Sequence, residues 1–147
     1  MLPALDGEGD LPTGVHSANL TEIEKSFGRF TNSDQRIRLF ARLKVLVDMA
    51  KASGIVERML IGGSFVTTKA KPNDIDVVMI ISKGVDFDSL NPSQMVVADR
   101  TSLNTLFKDG EFDVIVVRNG TARMQTAIEF FQTNRDNKSV GIVEVEL

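Results

Sequence analysis

No cysteine, tryptophan or tyrosine occurs among the 147 residues, and there is one histidine. The missing thiols exclude a disulfide framework, thiol redox catalysis and every thiolate metal site, zinc ribbons included. No apolar run approaches the ~18–20 residues that a membrane-spanning helix needs. The first ten residues carry acids where a leader would carry a basic stretch before an apolar one. A cytoplasmic protein with no membrane partner is the default expectation. A surplus of positive charge is missing too: 17 Lys+Arg stand against 20 Asp+Glu, a net charge of −3. That balance disfavours RNA or DNA held by a blanket of cations. Neither G-x-G-x-x-G nor G-x-x-x-x-G-K-[ST] occurs, which removes Rossmann and P-loop readings. With 42% hydrophobic and 25% charged residues, the expectation is one globular domain spanning the chain, with about two-thirds of its unfolded surface buried.

Residues 1–12 combine Pro3, Gly7, Gly9 and Pro12 with acids, which predicts a loose arm. Thr21 followed by Glu24 predicts a capping box and a short helix to about Gly28. Asn32 with Gln35 repeats the signal. Ile37, Phe40, Leu43, Leu46, Val47 and Ala50 then recur at helical spacing until Ser53-Gly54. Arg36, Arg38, Arg42 and Lys51 fall to the solvated face of that helix. Runs at Ile55–Ile61, Asp74–Ser82 and Glu111–Val117, rich in β-branched residues, predict three strands. Asn91-Pro92 opens a helix to about Phe107 with a break near Thr101, Asp109-Gly110 and Asn119-Gly120 make turns, and Thr121 caps a helix ending near Asn134. Arg135–Ser139 is a polar loop. Gly141–Leu147 alternates toward its end and predicts a closing edge strand. The fold class is therefore α/β or α+β, a small mixed β-sheet flanked by helices.

The chemistry concentrates at the second strand. Asp74 and Asp76 are two apart and project from one face at a Cα separation of ~6.6 Å. Two carboxylates on a strand buried on both sides repel each other and lose hydration unless a cation lies between them, and hard oxygen donors suit magnesium, or manganese in its place. Nine residues before Asp74, Gly62-Gly63-Ser64 ends the preceding strand. Glycine there lets backbone N–H groups, with the Ser64 hydroxyl, approach phosphate oxygens. Asp113, in the next strand, joins the pair if that strand lies alongside. Three carboxylates facing a phosphate turn are the parts of a two-metal site for phosphoryl or nucleotidyl transfer.

Gly63-Ser64, then Asp74-Ile75-Asp76-Val77, with a later strand Asp113, resembles the DNA polymerase β-like nucleotidyltransferase superfamily. Over nearly the whole chain, Leu11-Pro12-x-Gly14-x-His16, Gly63-Ser64-Phe65-Val66-Thr67, Pro72-x-Asp74-Ile75-Asp76, Phe130-Phe131-Gln132 and Gly141-Ile142-Val143 resemble a family of small bacterial nucleotidyltransferase-like proteins. The resemblance implies that Gly63 and Ser64 bind a nucleoside triphosphate's terminal phosphates. It implies that Asp74 and Asp76 ligate Mg2+, and that Asp113 holds the metal at the acceptor oxygen. The implied reaction places a nucleoside monophosphate on an acceptor and releases pyrophosphate. Where minimal toxin–antitoxin members continue Gly-Ser with Ala-Arg-Gly, this chain has Phe65-Val66-Thr67-Thr68-Lys69. Lys69 and Lys71 are candidates to replace that positive charge at the triphosphate, although lysines on an exposed loop are more often simply solvated.

No segment is left over to build an acceptor-binding domain. The acceptor, whether a protein side chain, an RNA end or a small molecule, stays open, as does completion of the cleft by a protein partner or homodimer. The alternative is a catalytically silent binding module, a regulator or antitoxin-like partner. His16 reads as structural, since no orienting partner for a catalytic imidazole is evident. The phenylalanines, among them Phe30, Phe40, Phe107, Phe130 and Phe131, read as core, and Asp86 and Asp88 as solvated loop acids.

Overall fold

A computed structural model describes residues 2–29, 34–107 and 110–147. Asn32, Phe30 and Asp109, to which a cap, a core position and a turn were assigned, lie outside the described residues. The elements are β1 (Gly14–Ala18), α1 (Leu20–Ile23) running into a π-helical turn (Glu24–Gly28), α2 (Gln35–Ser53), β2 (Val56–Gly62), a 3-10 turn (Gly63–Val66), β3 (Ile75–Ile81), a second 3-10 turn (Phe87–Ser89), α3 (Pro92–Ala98), α4 (Arg100–Leu106), β4 (Phe112–Arg118), α5 (Ala122–Phe131) and β5 (Gly141–Val145). No helix of the described residues is long and apolar enough to cross a membrane.

The mixed sheet has the order β1-β5-β2-β3-β4. β1 and β5 are parallel, as are β3 and β4, while β2 runs antiparallel to both β5 and β3. Alternation along β3 divides the core into two layers. Ile75, Val77, Met79 and Ile81 face a cluster with Leu39, Leu43, Leu46, Val47, Val97 and Leu103. Val78 and Ile80 face the other side, where Leu60, Val117 and Ile142 meet Ala127, Ile128 and Phe131 of α5. A mixed sheet flanked by helices is thus the observed class.

Several boundaries move for identifiable reasons. The first capping box is built by Asn19 and Glu22, not by Thr21 and Glu24: the Asn19 side chain accepts from the Glu22 N–H. The break between α3 and α4 falls at Asp99, whose carboxylate caps α4 by accepting from the Ser102 N–H. Asn91 and Thr121 cap their helices as expected. Asp86 is not merely solvated: its carboxylate accepts from the Asp88 N–H at 3.0 Å and orders the turn there. β5 is no edge strand but lies between β1 and β2. The polar member of its alternation, Glu144, meets Arg58 at 2.6 Å instead of bulk water.

The first dozen residues, read as a loose arm, are held. Lys138 Nζ reaches the carboxylates of Asp6, Glu8 and Asp10 at 2.8, 3.0 and 3.0 Å. Leu11 is buried, and its carbonyl accepts from the Gly141 N–H. His16 belongs to β1 and its Nε2 lies 2.6 Å from the Pro12 carbonyl, to which it donates, in keeping with a structural role.

Candidate functional site

Strand pairing assembles the acids. Asp76 is the register partner of Gly62 on one side and of Asp113 on the other. Along β3 the inward residues are all buried except Asp76, which is half-buried. Asp74 and Asp76 continue the Val78–Ile80 side of β3, and Asp113 continues the Ile115–Val117 side of β4, by the two-residue period of a strand. That face is covered by α5, which ends at Phe131. Where the cover ends a cavity of about 480 Å³ opens, lined by Gly63, Ser64, Lys69, Asp74, Asp76 and Asp113 among others. Its size suits a small-molecule site. A larger hollow of about 710 Å³, between the π-helical turn and α2, is lined by Ile37, Phe40 and Val45 and touches none of the three aspartates.

Six of the seven residues expected at the site therefore border one space. Gly62 does not: it is buried in β2, and a side chain there would meet Ile142 and Phe131. Gly63 is the residue that makes the turn, with φ +76°. A Cβ at Gly63 would stand 2.2 Å from Asp76 Oδ2, so the glycine and the carboxylate share the space. Gly63→Ala is expected to lower stability by about 2 kcal/mol, combining left-handed strain with the clash, and to displace the Asp76 carboxylate. Denaturant titration and calorimetry with Mg2+ and a nucleoside triphosphate check both effects.

The electrostatics are those of an acidic site that neighbouring cations offset only in part. Burial, then the charges of Asp74 and Asp113, push the Asp76 carboxyl up to about 7 from the usual 3.8. Asp74 is raised by burial and then by Asp113, with Arg135 and Lys69 pulling the other way. Asp113 is more open, and Arg100 Nη2 lies 3.3 Å from its Oδ1. Among the described residues no trio of acids or imidazoles is gathered closely enough to form a metal cage by itself. The donor set nonetheless fits magnesium, which commonly takes one or two carboxylates and completes its shell with substrate phosphates and water.

The 3-10 turn after Gly62 and the chain beyond it are fixed by one residue assigned above to the solvated helix face. Arg36 is 0% exposed. Its guanidinium donates to the carbonyls of Phe27, Ser64, Phe65, Thr67 and Lys69 at 2.6–3.3 Å. Burial lowers its pKa to about 10, which leaves it charged. Ile37, which the sequence placed on the apolar stripe, is 55% exposed instead. Arg36 is in phase with Leu39, Phe40, Leu43, Val47 and Ala50, and that phase is the sequence signal for it.

Two further residues, given no role there by the sequence reading, join the site. Arg135, from the polar loop after α5, lines the cavity and acts on both Asp74 and Asp76. Phe130, assigned to the core, also borders the cavity and is 70% exposed, whereas Phe40, Phe107 and Phe131 are buried as expected. Lys71 is exposed and outside the cavity lining.

Residues 3–146 match the family described as "Family of unknown function (DUF6932)". The chain belongs to that family. No curated protein and no solved structure matches it. In this DUF6932 member the match runs through every element of the sheet and every residue of the acidic cavity.

Proposed function

We propose that this DUF6932 protein is a Mg2+-dependent nucleotidyltransferase that moves a nucleoside monophosphate from a triphosphate to an acceptor. The observation that carries the proposal is the convergence of the Gly63-Ser64 turn, Asp74 just before β3, Asp76 in β3, Asp113 in the adjacent β4, and the cations Lys69 and Arg135 on one cavity. In this reading the Gly63-Ser64 backbone and the Ser64 hydroxyl donate to the terminal phosphates. Lys69 and Arg135 offset the charge that builds on departing pyrophosphate. Asp74 and Asp76, with Asp113, would hold magnesium, which supplies Lewis-acid charge at the phosphate oxygens and eases ionisation of the acceptor hydroxyl. The acceptor oxygen bonds to the α-phosphorus as the bond to the β-phosphate oxygen breaks. A cation held there would favour the ionised form of Asp76 and offset the charge that burial disfavours.

Incubation of the protein and cell extract with each α-labelled nucleoside triphosphate and Mg2+ tests the proposal. Label transfer is expected with the native chain and is expected to fall at least a hundredfold with Asp74→Ala/Asp76→Ala. Equal labelling by both proteins sinks it. Any label on the chain itself must lie on a residue other than tyrosine, of which there is none.

The Arg100–Asp113 contact and the ungathered acids favour a second reading, a binding module without turnover that serves a protein partner. A silent module predicts no magnesium-dependent nucleotide binding by calorimetry. The enzyme predicts binding that requires Asp76.

A further inference from the structure

Within the proposed nucleotide reading, on which this inference rests, we propose that Phe130 is the stacking platform for the nucleobase. α5 buries Ala127, Ile128 and Phe131 against the sheet, yet its neighbouring Phe130 is 70% exposed at the rim of the acidic cavity. A single exposed apolar ring is ordinary on a protein surface; what distinguishes Phe130 is that it borders the acidic cavity. Its setting specifies what would cover it. The Gly63-Ser64 turn, the cations Lys69 and Arg135 and the Phe130 π-face all border this one cavity. A molecule that is anionic at one end and flat and aromatic at the other fits both, and a nucleoside triphosphate is that molecule.

The ring is set on a rigid mount. Phe131, its neighbour, lies 6.0 Å away centroid to centroid and sits beside Gly62, the register partner of Asp76, where an added Cβ would be 3.7 Å from the Phe131 Cβ. The Phe130 carbonyl accepts from the Thr133 N–H, and the Gln132 carbonyl from the Val140 N–H, so the end of α5 is tied to the start of β5. Asn134 lines the same cavity. Its side-chain oxygen accepts from the Asp136 and Lys138 N–H groups, so the part of the side chain that could serve a base acceptor is its amide NH2. Stacking on an aromatic ring tolerates every base, and the wider purine face gains more than a pyrimidine.

The chain has no tryptophan or tyrosine, so Phe130→Trp installs a single emitting ring at the proposed contact. Titration with Mg2+ and the α,β-methylene analogue of ATP is expected to quench its fluorescence, and Mg2+ with inorganic tripolyphosphate to bind without quenching. By calorimetry, Phe130→Ala is expected to weaken the ATP analogue about tenfold, the size of one base–aromatic stack, and to leave tripolyphosphate affinity unchanged. Unchanged affinity of the alanine variant for the analogue, or unaltered tryptophan emission at saturation, overturns the platform while the phosphate site stands. A native chain that binds neither ligand overturns both the platform and the nucleotide reading.

Discussion

Arg36→Ala is expected to be the most damaging single substitution outside the acids, lowering stability by about 3–5 kcal/mol in denaturant titration. The guanidinium reaches five carbonyls, four of them between Ser64 and Lys69. Truncation takes this donor from the Phe27 and Phe65 carbonyls in a buried place, removes the tie to the part-buried carbonyls of Ser64, Thr67 and Lys69, and leaves a void against Phe65, whose ring centroid lies 5.4 Å from the guanidinium carbon. Arg36→Lys keeps the charge but brings three donors from one point instead of a planar fork. It is expected to recover less than half of the loss. The readout specific to the loop is tryptic cleavage after Lys69, which should accelerate in both variants before global unfolding; Lys71 precedes Pro72 and is not a tryptic site. Cleavage that tracks global unfolding alone would mean that Arg36 serves the core and not the turn.

Asp76→Asn is expected to separate stability from function. The native carboxyl titrates near 7 in the folded chain and near 3.8 when exposed. Between those values the folded state holds a proton that the unfolded state has lost, so native stability falls as pH rises through this window. Below about pH 4 both states are protonated and the group contributes nothing. Without metal, the asparagine variant should match the native chain at pH 4 and exceed it by about 1–2 kcal/mol at pH 8. The gain is well short of the full shift because solvent reaches the half-buried carboxylate. Millimolar Mg2+ should stabilise the native chain at pH 8 and leave the variant unchanged. A gap between the two proteins that stays constant from pH 4 to pH 8 would show that the acid is not the source of the strain.

Much of the sheet was legible because its inner strands are bounded β-branched runs: Ile75–Ile81 and Phe112–Arg118 differ from expectation by a residue at each end. The acids were legible for the related reason that charge inside such a run conflicts with burial. β1 was not. Its five residues Gly-Val-His-Ser-Ala carry one β-branched side chain, and their strand form depends on a partner from the opposite end of the sequence. β5 was recognised as a strand but misplaced at an edge, because an ion pair with Arg58 and exposure to water leave the same polar mark at Glu144. Arg36 was hidden by its type. Charge argued for solvent while its helical phase argued for the interior, and carbonyl acceptors leave no trace in sequence. Arg135 sat in a loop without periodicity, where only the tertiary position of the end of α5 brings it to the acids.

The parallel alignment of Gly14–Ala18 with Gly141–Val145 also sets an order of events. β2, β3 and β4 are close together in sequence and can zip early, whereas β5 must slide in beside β2 and then receive β1. Long-range closures of this kind are slow steps. The cavity wall formed by Asp10, Leu11 and Gly141 therefore cannot form until β5 has paired beside β2, however early the three inner strands meet.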